Sequence, residues 1–184
     1  MVTILLANGF EVAEALVTLD LLHRAGVEAC LTGLTKEEVV SANGIRVKMD
    51  RVLPELGEEA FLHDLEMLVL AGGMDNTIEL TCSAQAKRVI AAAVEQGCKV
   101  AAICAAPVIL AGMGLLEGRK AVCYPGMEGS MGGAVIQTGS KVVVDGNFIT
   151  GQGPGAAFDF ALKLVELLKG KAVMEQVKGE IHYQ

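Results

Sequence analysis

Residues 99–112 read KVAAICAAPVILAG, and the reading of this stretch decides the fold. KVAAI is an apolar run of strand length, and the segment 105–112 has the character of a short helix with Pro107 near its start. A proline there is tolerated, because the N–H it lacks would have no intrahelical partner. Cys104 falls at the junction. The apolar run continues through Leu116 and by length alone could pass for a membrane span. Pro107, Gly112 and Gly114 interrupt it, which argues for a buried strand followed by a buried helix. A strand that is apolar at every position has both faces covered, as in a parallel sheet between layers of helices.

The same unit recurs outward in both directions. VTILLA (2–7) predicts a strand, Asn8–Gly9 a turn, and residues 11–25 a helix stopped by Gly26. VEACLTGL is a second strand, and EVVSAN with GIRVKM predicts a short hairpin turning near Asn43–Gly44. A helix is expected over 58–65, a buried strand at MLVLAGG, and an amphipathic helix over 83–96. Beyond the central stretch, KVVVDGNFIT reads as a hairpin turning at Asp145–Gly146. GAAFDFALKLVELLKG reads as a helix with Asp159, Lys163 and Glu166 on its polar stripe. Strands alternating with helices define an α/β fold with a mostly parallel sheet and helices on both faces. No repeat or linker divides the chain, so residues 1–184 are read as one domain.

Composition sets limits on function. The chain is 52% hydrophobic and 20% charged, which excludes overall disorder. Its net charge of −7 provides no cationic face for a phosphate backbone, so nucleic acid is not an expected partner. The N-terminus carries neither a basic segment nor a cleavage site, so a cytoplasmic protein with no membrane partner is expected. Cysteines 30, 82, 98, 104 and 123 form no CxxC pair and read as reduced thiols. His23, His63 and His182 lack ligand spacing, so no metal is expected.

In an open parallel sheet, ligands gather beyond the carboxyl ends of the strands. Cys104 lies at such an end, at a sharp strand-to-helix turn of the kind that exposes a nucleophile. Helix N–H groups there would lower the thiol's pKa, the alternative being a small buried hydrophobe. Glu14 lies on a mostly apolar helix face with Val17 and Leu21, where a carboxyl must pair or hold a proton. A poised Glu14 beside a thiolate could move protons, whereas a first-turn glutamate could equally just complement the helix dipole. Gly72 and Gly73 end a strand, and their N–H groups, with that of Ala105, could hold an oxyanion, unless the pair is only a tight turn. GQGPGAAF (151–158) is neither GxGxxG nor a P-loop, and helix-entry geometry explains its glycines better than nucleotide binding.

Taken together, GFEVAEALVTLDLLHRAG, LVLAGG, AAICAAPVILA, DGNFITGQGPGAAFDFALKLVELLKGK and QVKG resemble the ThiJ/PfpI superfamily. Within it the chain looks like the DJ-one branch, whose segments occur here in family order across nearly the whole chain. The resemblance implies a flavodoxin-like sandwich that forms a homodimer. It implies that Cys104 is the reactive, oxidation-prone cysteine and Glu14 its acidic partner. Members of this branch are described as glyoxalases acting without glutathione, as deglycases, and as oxidative-stress proteins with chaperone activity. Two departures stand out. Where some members have a His-Pro dipeptide this chain has Tyr124–Pro125, and Ala105 takes the place of the histidine that follows the nucleophile in PfpI-type peptidases. His182 is followed by Tyr183 and Gln184, so the late His-x-Glu of glutaminases is also missing.

The resemblance therefore implies a cysteine-dependent enzyme that converts α-oxoaldehydes such as methylglyoxal, or their glycated adducts, without a cofactor. Cys104 and Glu14 would be catalytic, and Gly72, Gly73, Ala105 and Tyr124 would bind substrate or oxyanion. The alternative is a redox-sensing, chaperone-like stress protein in which Cys104 is oxidised without turnover.

Overall fold

The computed structural model describes residues 1–184, apart from the side chains of residues 55, 56 and 58. In chain order it begins with β1 (Val2–Leu6), α1 (Val12–Arg24), β2 (Ala29–Gly33), β3 (Glu38–Val40), β4 (Arg46–Lys48) and β5 (Arg51–Val52). There follow α2 (Leu53–Leu62), β6 (Met67–Leu70), α3 (Met74–Cys82), α4 (Ala84–Glu95), β7 (Lys99–Ile103) and α5 (Pro107–Gly112). The last third holds β8 (Lys120–Ala121), β9 (Val135–Ile136), β10 (Val142–Asp145), β11 (Phe148–Gly151), α6 (Ala157–Lys169) and α7 (Lys171–Glu180).

Seven strands form the central sheet in the order β10-β11-β7-β6-β1-β2-β5. Every pairing in it is parallel except β10 with β11, which is the hairpin expected at Asp145–Gly146. β3 and β4 form the separate antiparallel hairpin, with Gly44 at φ 81 in its turn.

Side-chain alternation along the strands creates two cores. Ile4, Leu6, Met67, Val69, Ala101 and Ile103 face the layer of α1, α6 and α7, where they meet Leu21, Leu22, Phe160 and Val177. Leu5, Leu68, Leu70, Val100 and Ala102 face the opposite layer and meet Leu53, Phe61, Leu80, Val89, Ile90 and Leu110. Burying each such side chain contributes about 1.5–3 kcal/mol, so strand and helix order are fixed from both faces. This is the mostly parallel sheet covered on both faces that the apolar strands required, and the flavodoxin-like sandwich that the resemblance implied.

Three elements depart from the sequence reading. The helix expected over 58–65 spans Leu53–Leu62 and kinks at Gly57, whose φ is 70. Pro54 suits the helix start, and Asp64, at φ 57, lies beyond its end in the left-handed region. α3 was not foreseen, because MDNTIELTC buries only Asn76, Thr77 and Leu80 and so carries almost no apolar stripe. α7 fully buries only Val177 and was equally silent. No helix among the described residues is long and apolar enough to cross a membrane.

Candidate active site

β7 delivers Cys104 to the carboxyl edge of the sheet, and the chain turns there before α5 begins. Cys104 takes φ 66, a left-handed conformation that costs a non-glycine residue about 1–2 kcal/mol. Two long-range hydrogen bonds hold it: its N–H donates to Gly151 O at 2.9 Å, and its carbonyl accepts from Tyr124 N–H at 2.8 Å. The other cysteines lack this placement. Cys30, Cys98 and Cys123 are buried, and Cys82 is exposed on α3.

Glu14 arrives from α1 and is fully buried. Its Oε2 accepts the Gly72 N–H at 2.7 Å, while Oε1 has no partner of ordinary hydrogen-bond geometry among the described residues. The carbonyl of Gly72 accepts from Glu11 N–H at 3.1 Å, so one glycine binds the start of α1 through both of its backbone groups. A methyl group on Gly72 would sit 2.6 Å from Cys104 Cβ and 2.6 Å from Glu14 Oε2. Those two atoms are therefore no farther apart than twice that distance, and only glycine fits between them. Asn76, on α3, locks the arrangement: its Oδ1 accepts from Ala7 N–H at 2.6 Å and its Nδ2 donates to Ala71 O at 2.7 Å.

Burial raises the Glu14 carboxyl to about 7, opposed by the hydrogen bonds from Gly72 and with Cys104 and reinforced by the charge of Glu11. Burial likewise pushes the Cys104 thiol up to about 12, helped by the charge of Glu14 and its hydrogen bond, and opposed by the N–H groups of Ala105 and Gly73. This corrects the expectation of a thiol acidified by a helix end. α5 starts three residues later, at Pro107, has only six residues, and is outweighed by desolvation and by a neighbouring carboxylate. The two contributions of Glu14 depend on its charge. Protonated, the carboxyl no longer carries the charge that raises the thiol, and it has an O–H to offer the sulfur.

The structure brings Gly73, Ala105 and Tyr124 to this pair. The N–H groups of Gly73 and Ala105 point at the sulfur, with Gly73 at φ 94. Gly72 has a different job from the one its position suggested: its N–H is already engaged by Glu14 and is not free for an oxyanion. Tyr124, 46% exposed, lines a cavity of about 230 Å³ over Cys104 together with Glu11, Gly73, Met74, Ala105, Met127 and Pro154. Sequence reasoning missed Asn76, Met74 and Met127, which lie on or beyond elements without a periodic signal. The segment GQGPGAAF does more than start a helix, since Gly151 takes the Cys104 N–H and Pro154 lines the cavity. Among the described residues, no group of three or more His, Cys, Asp or Glu is placed to hold a metal.

Fold and site together define a flavodoxin-like domain with a cysteine elbow and a buried acid partner. The chain belongs to the DJ-1/PfpI family, whose profile matches residues 1–167. It is 33% identical to protein dj-1beta of Drosophila melanogaster over 95% of this chain and 92% of that one. It is 31% identical to a glutathione-independent glyoxalase of Caenorhabditis elegans, covering 87% and 83% of the two chains. With a deglycase of Pyrococcus horikoshii the identity is 30%, over 91% and 99%. Among solved structures, a cysteine-to-alanine mutant of a DJ-1 superfamily protein from Salmonella typhimurium superposes with a TM-score of 0.92 at 33% identity, covering 100% and 98%.

Proposed function

We propose that the protein is a cysteine-dependent glyoxalase or deglycase that converts small α-oxoaldehydes, or their adducts, to hydroxy acids without glutathione. The observation that carries this reading is the Cys104 thiol set against the buried, proton-holding Glu14 beneath a cavity of small-molecule size. Relatives bearing glyoxalase and deglycase activities support it.

The reaction on methylglyoxal balances within these groups. The shared proton moves to Glu14, and the Cys104 thiolate adds to the aldehyde carbon. Glu14 returns the proton to the oxygen, giving a hemithioacetal, while the Gly73 and Ala105 amides stabilise the developing oxyanion. The Glu14 carboxylate then removes the hydrogen from the former aldehyde carbon and delivers it to the adjacent carbon through an enediol. The first carbon is thereby oxidised to a thioester and its neighbour reduced to a carbinol. Water cleaves the thioester, releasing lactate and the thiol. Purified protein in metal-free buffer is expected to form lactate from methylglyoxal, and Cys104→Ser to abolish it. Lactate formation undiminished by that change would sink the reading.

A second reading is favoured by the two amides aimed at the sulfur, which would bind the oxygens of a sulfinate: a redox-sensing stress protein. Mild peroxide is then expected to place two oxygens on Cys104 before it modifies Cys82, the exposed competitor, as read by peptide mass mapping. Equal oxidation of the two would refute it.

The partner besides substrate is a second copy of the chain. α1 lies against α6, buries Glu14, Ala15, Thr18, Leu21 and Leu22, and leaves Val12, Leu16 and Leu19 only partly covered.

A further inference from the structure

A second cavity, of about 300 Å³, lies beside the one over Cys104 and is lined by Tyr124, Pro125, Gln152, Gly153, Pro154, Gly155 and Ala156. Tyr124 and Pro154 line both cavities and so form their common wall. Tyr124 is fixed as that wall from two directions. Its N–H is bonded to the Cys104 carbonyl, and its ring lies over Gly153, where an added Cβ would meet Cδ2 at 3.2 Å and Cε2 at 3.6 Å.

Resting on the glyoxalase or deglycase reading, we propose that Tyr124 divides one cleft into two chambers, and that the outer one receives the non-reacting part of the substrate. The inner chamber, with Cys104, Gly73 and Ala105, takes the dicarbonyl. The outer chamber takes a planar, uncharged group attached to it. The chemistry of the outer wall selects that class. An aromatic ring, two prolines, an alanine and two glycines present flat apolar surfaces, and Gln152 supplies a neutral amide. Among the described residues no charged side chain lines it, so an ionic group placed there would lose water without gaining a counter-charge. Room is sufficient: a closed apolar cavity of about 150 Å³ holds benzene. A substrate carrying such a group spans the common wall, with its aldehyde carbon on the sulfur and its ring beyond Tyr124.

Gly155 allows a test. It lines the outer chamber, an added Cβ there meets nothing within 4 Å, and its φ lies outside the left-handed region, so Gly155→Leu sets a branched side chain at the chamber wall without clash or backbone strain. The experiment compares kcat/KM for phenylglyoxal with that for methylglyoxal, which needs only the inner chamber. Gly155→Leu is expected to lower the phenylglyoxal-to-methylglyoxal ratio at least tenfold, with methylglyoxal turnover reporting that the variant is folded. An unchanged ratio overturns the proposal. If the wild-type protein consumes neither aldehyde, the catalytic reading fails, and binding alone decides the chamber. 2-Hydroxyacetophenone, which offers the same ring with no aldehyde, is titrated into both proteins by NMR. At least tenfold weaker binding by Gly155→Leu supports the chamber, whereas equal affinity, or no saturable binding to wild type, refutes it.

Discussion

At the scale of single residues, the proposed chemistry turns on one proton shared by Glu14 and Cys104. With both groups protonated, neither a nucleophile nor a base exists. Loss of the first proton leaves the reactive pair, and the second is retained until the thiol's own range, about 12. The expected kcat/KM for methylglyoxal therefore rises through about pH 7 and stays level into mild alkali. Glu14→Gln should remove that ionisation and lower kcat by about 100-fold or more, the scale of a lost acid–base group. The same substitution has a stability signature. Because the folded-state pKa lies above the ordinary 4.5, native protein keeps a proton that the unfolded chain has released, and stability falls as pH rises from 4.5 to about 7. The loss amounts to about 3 kcal/mol and is complete above pH 7. Denaturation midpoints measured at pH 4.5 and pH 8 should differ less in Glu14→Gln than in wild type, and an equal difference in both would refute the buried-proton account. Position alone made Cys104, at a strand-to-helix junction, and Glu14, a carboxyl on an apolar face, candidates beside the alternatives of a buried hydrophobe and a dipole-complementing glutamate, and only the family resemblance assigned their roles. The direction of the thiol's shift was not legible, since it depends on desolvation and on a charge brought from another element. The role of Gly72 was hidden for the same reason: a bare glycine does not say whose oxygen its N–H will meet.

At the scale of elements, the site is made by what α3 does to the strand ends. Asn76 ties Ala7, at the end of β1, to Ala71, at the end of β6, and so sets the spacing between the loop that leads into α1 and the glycine that holds Glu14. Asn76→Ala would leave the buried Ala7 N–H without its acceptor and cost about 1–3 kcal/mol. It should also lower kcat more than it raises KM, because Asn76 positions Glu14 through Gly72 and touches no substrate. A chemical denaturation curve paired with steady-state kinetics checks both, and a loss of stability with kcat intact would show that Asn76 only packs. α3 itself could not be read from the sequence, because it is held by buried polar groups where a periodic pattern has only apolar ones to report. β7, β6 and β1 could, since a strand covered on both faces must be apolar throughout.

At the scale of the whole molecule, the proposed catalysis and the proposed assembly both run through α1. Its buried residues include Glu14, which reaches Gly72 at the sheet edge, while Val12, Leu16 and Leu19 lie partly uncovered. The β3–β4 hairpin is tied beside its start through Ala42 N–H to Phe10 O at 2.9 Å, and presents Ile45 at 49% exposure. An apolar patch of this kind, on a helix whose other side is already satisfied, is the surface a second copy would cover. The wild-type chain is therefore expected to scatter light at twice 19.2 kDa, and Leu16→Glu, which sets a charge in the middle of the patch, at 19.2 kDa. A second copy clamping α1 would also fix the Glu14 carboxyl, and misplacing a reacting group by about 1 Å can cost about 100-fold in rate. The Leu16→Glu monomer should accordingly lose activity at low protein concentration while keeping its circular dichroism spectrum. A wild-type monomer at tens of micromolar would end the assembly argument without touching the catalytic one, because Cys104, Gly72 and Glu14 are all supplied by a single chain.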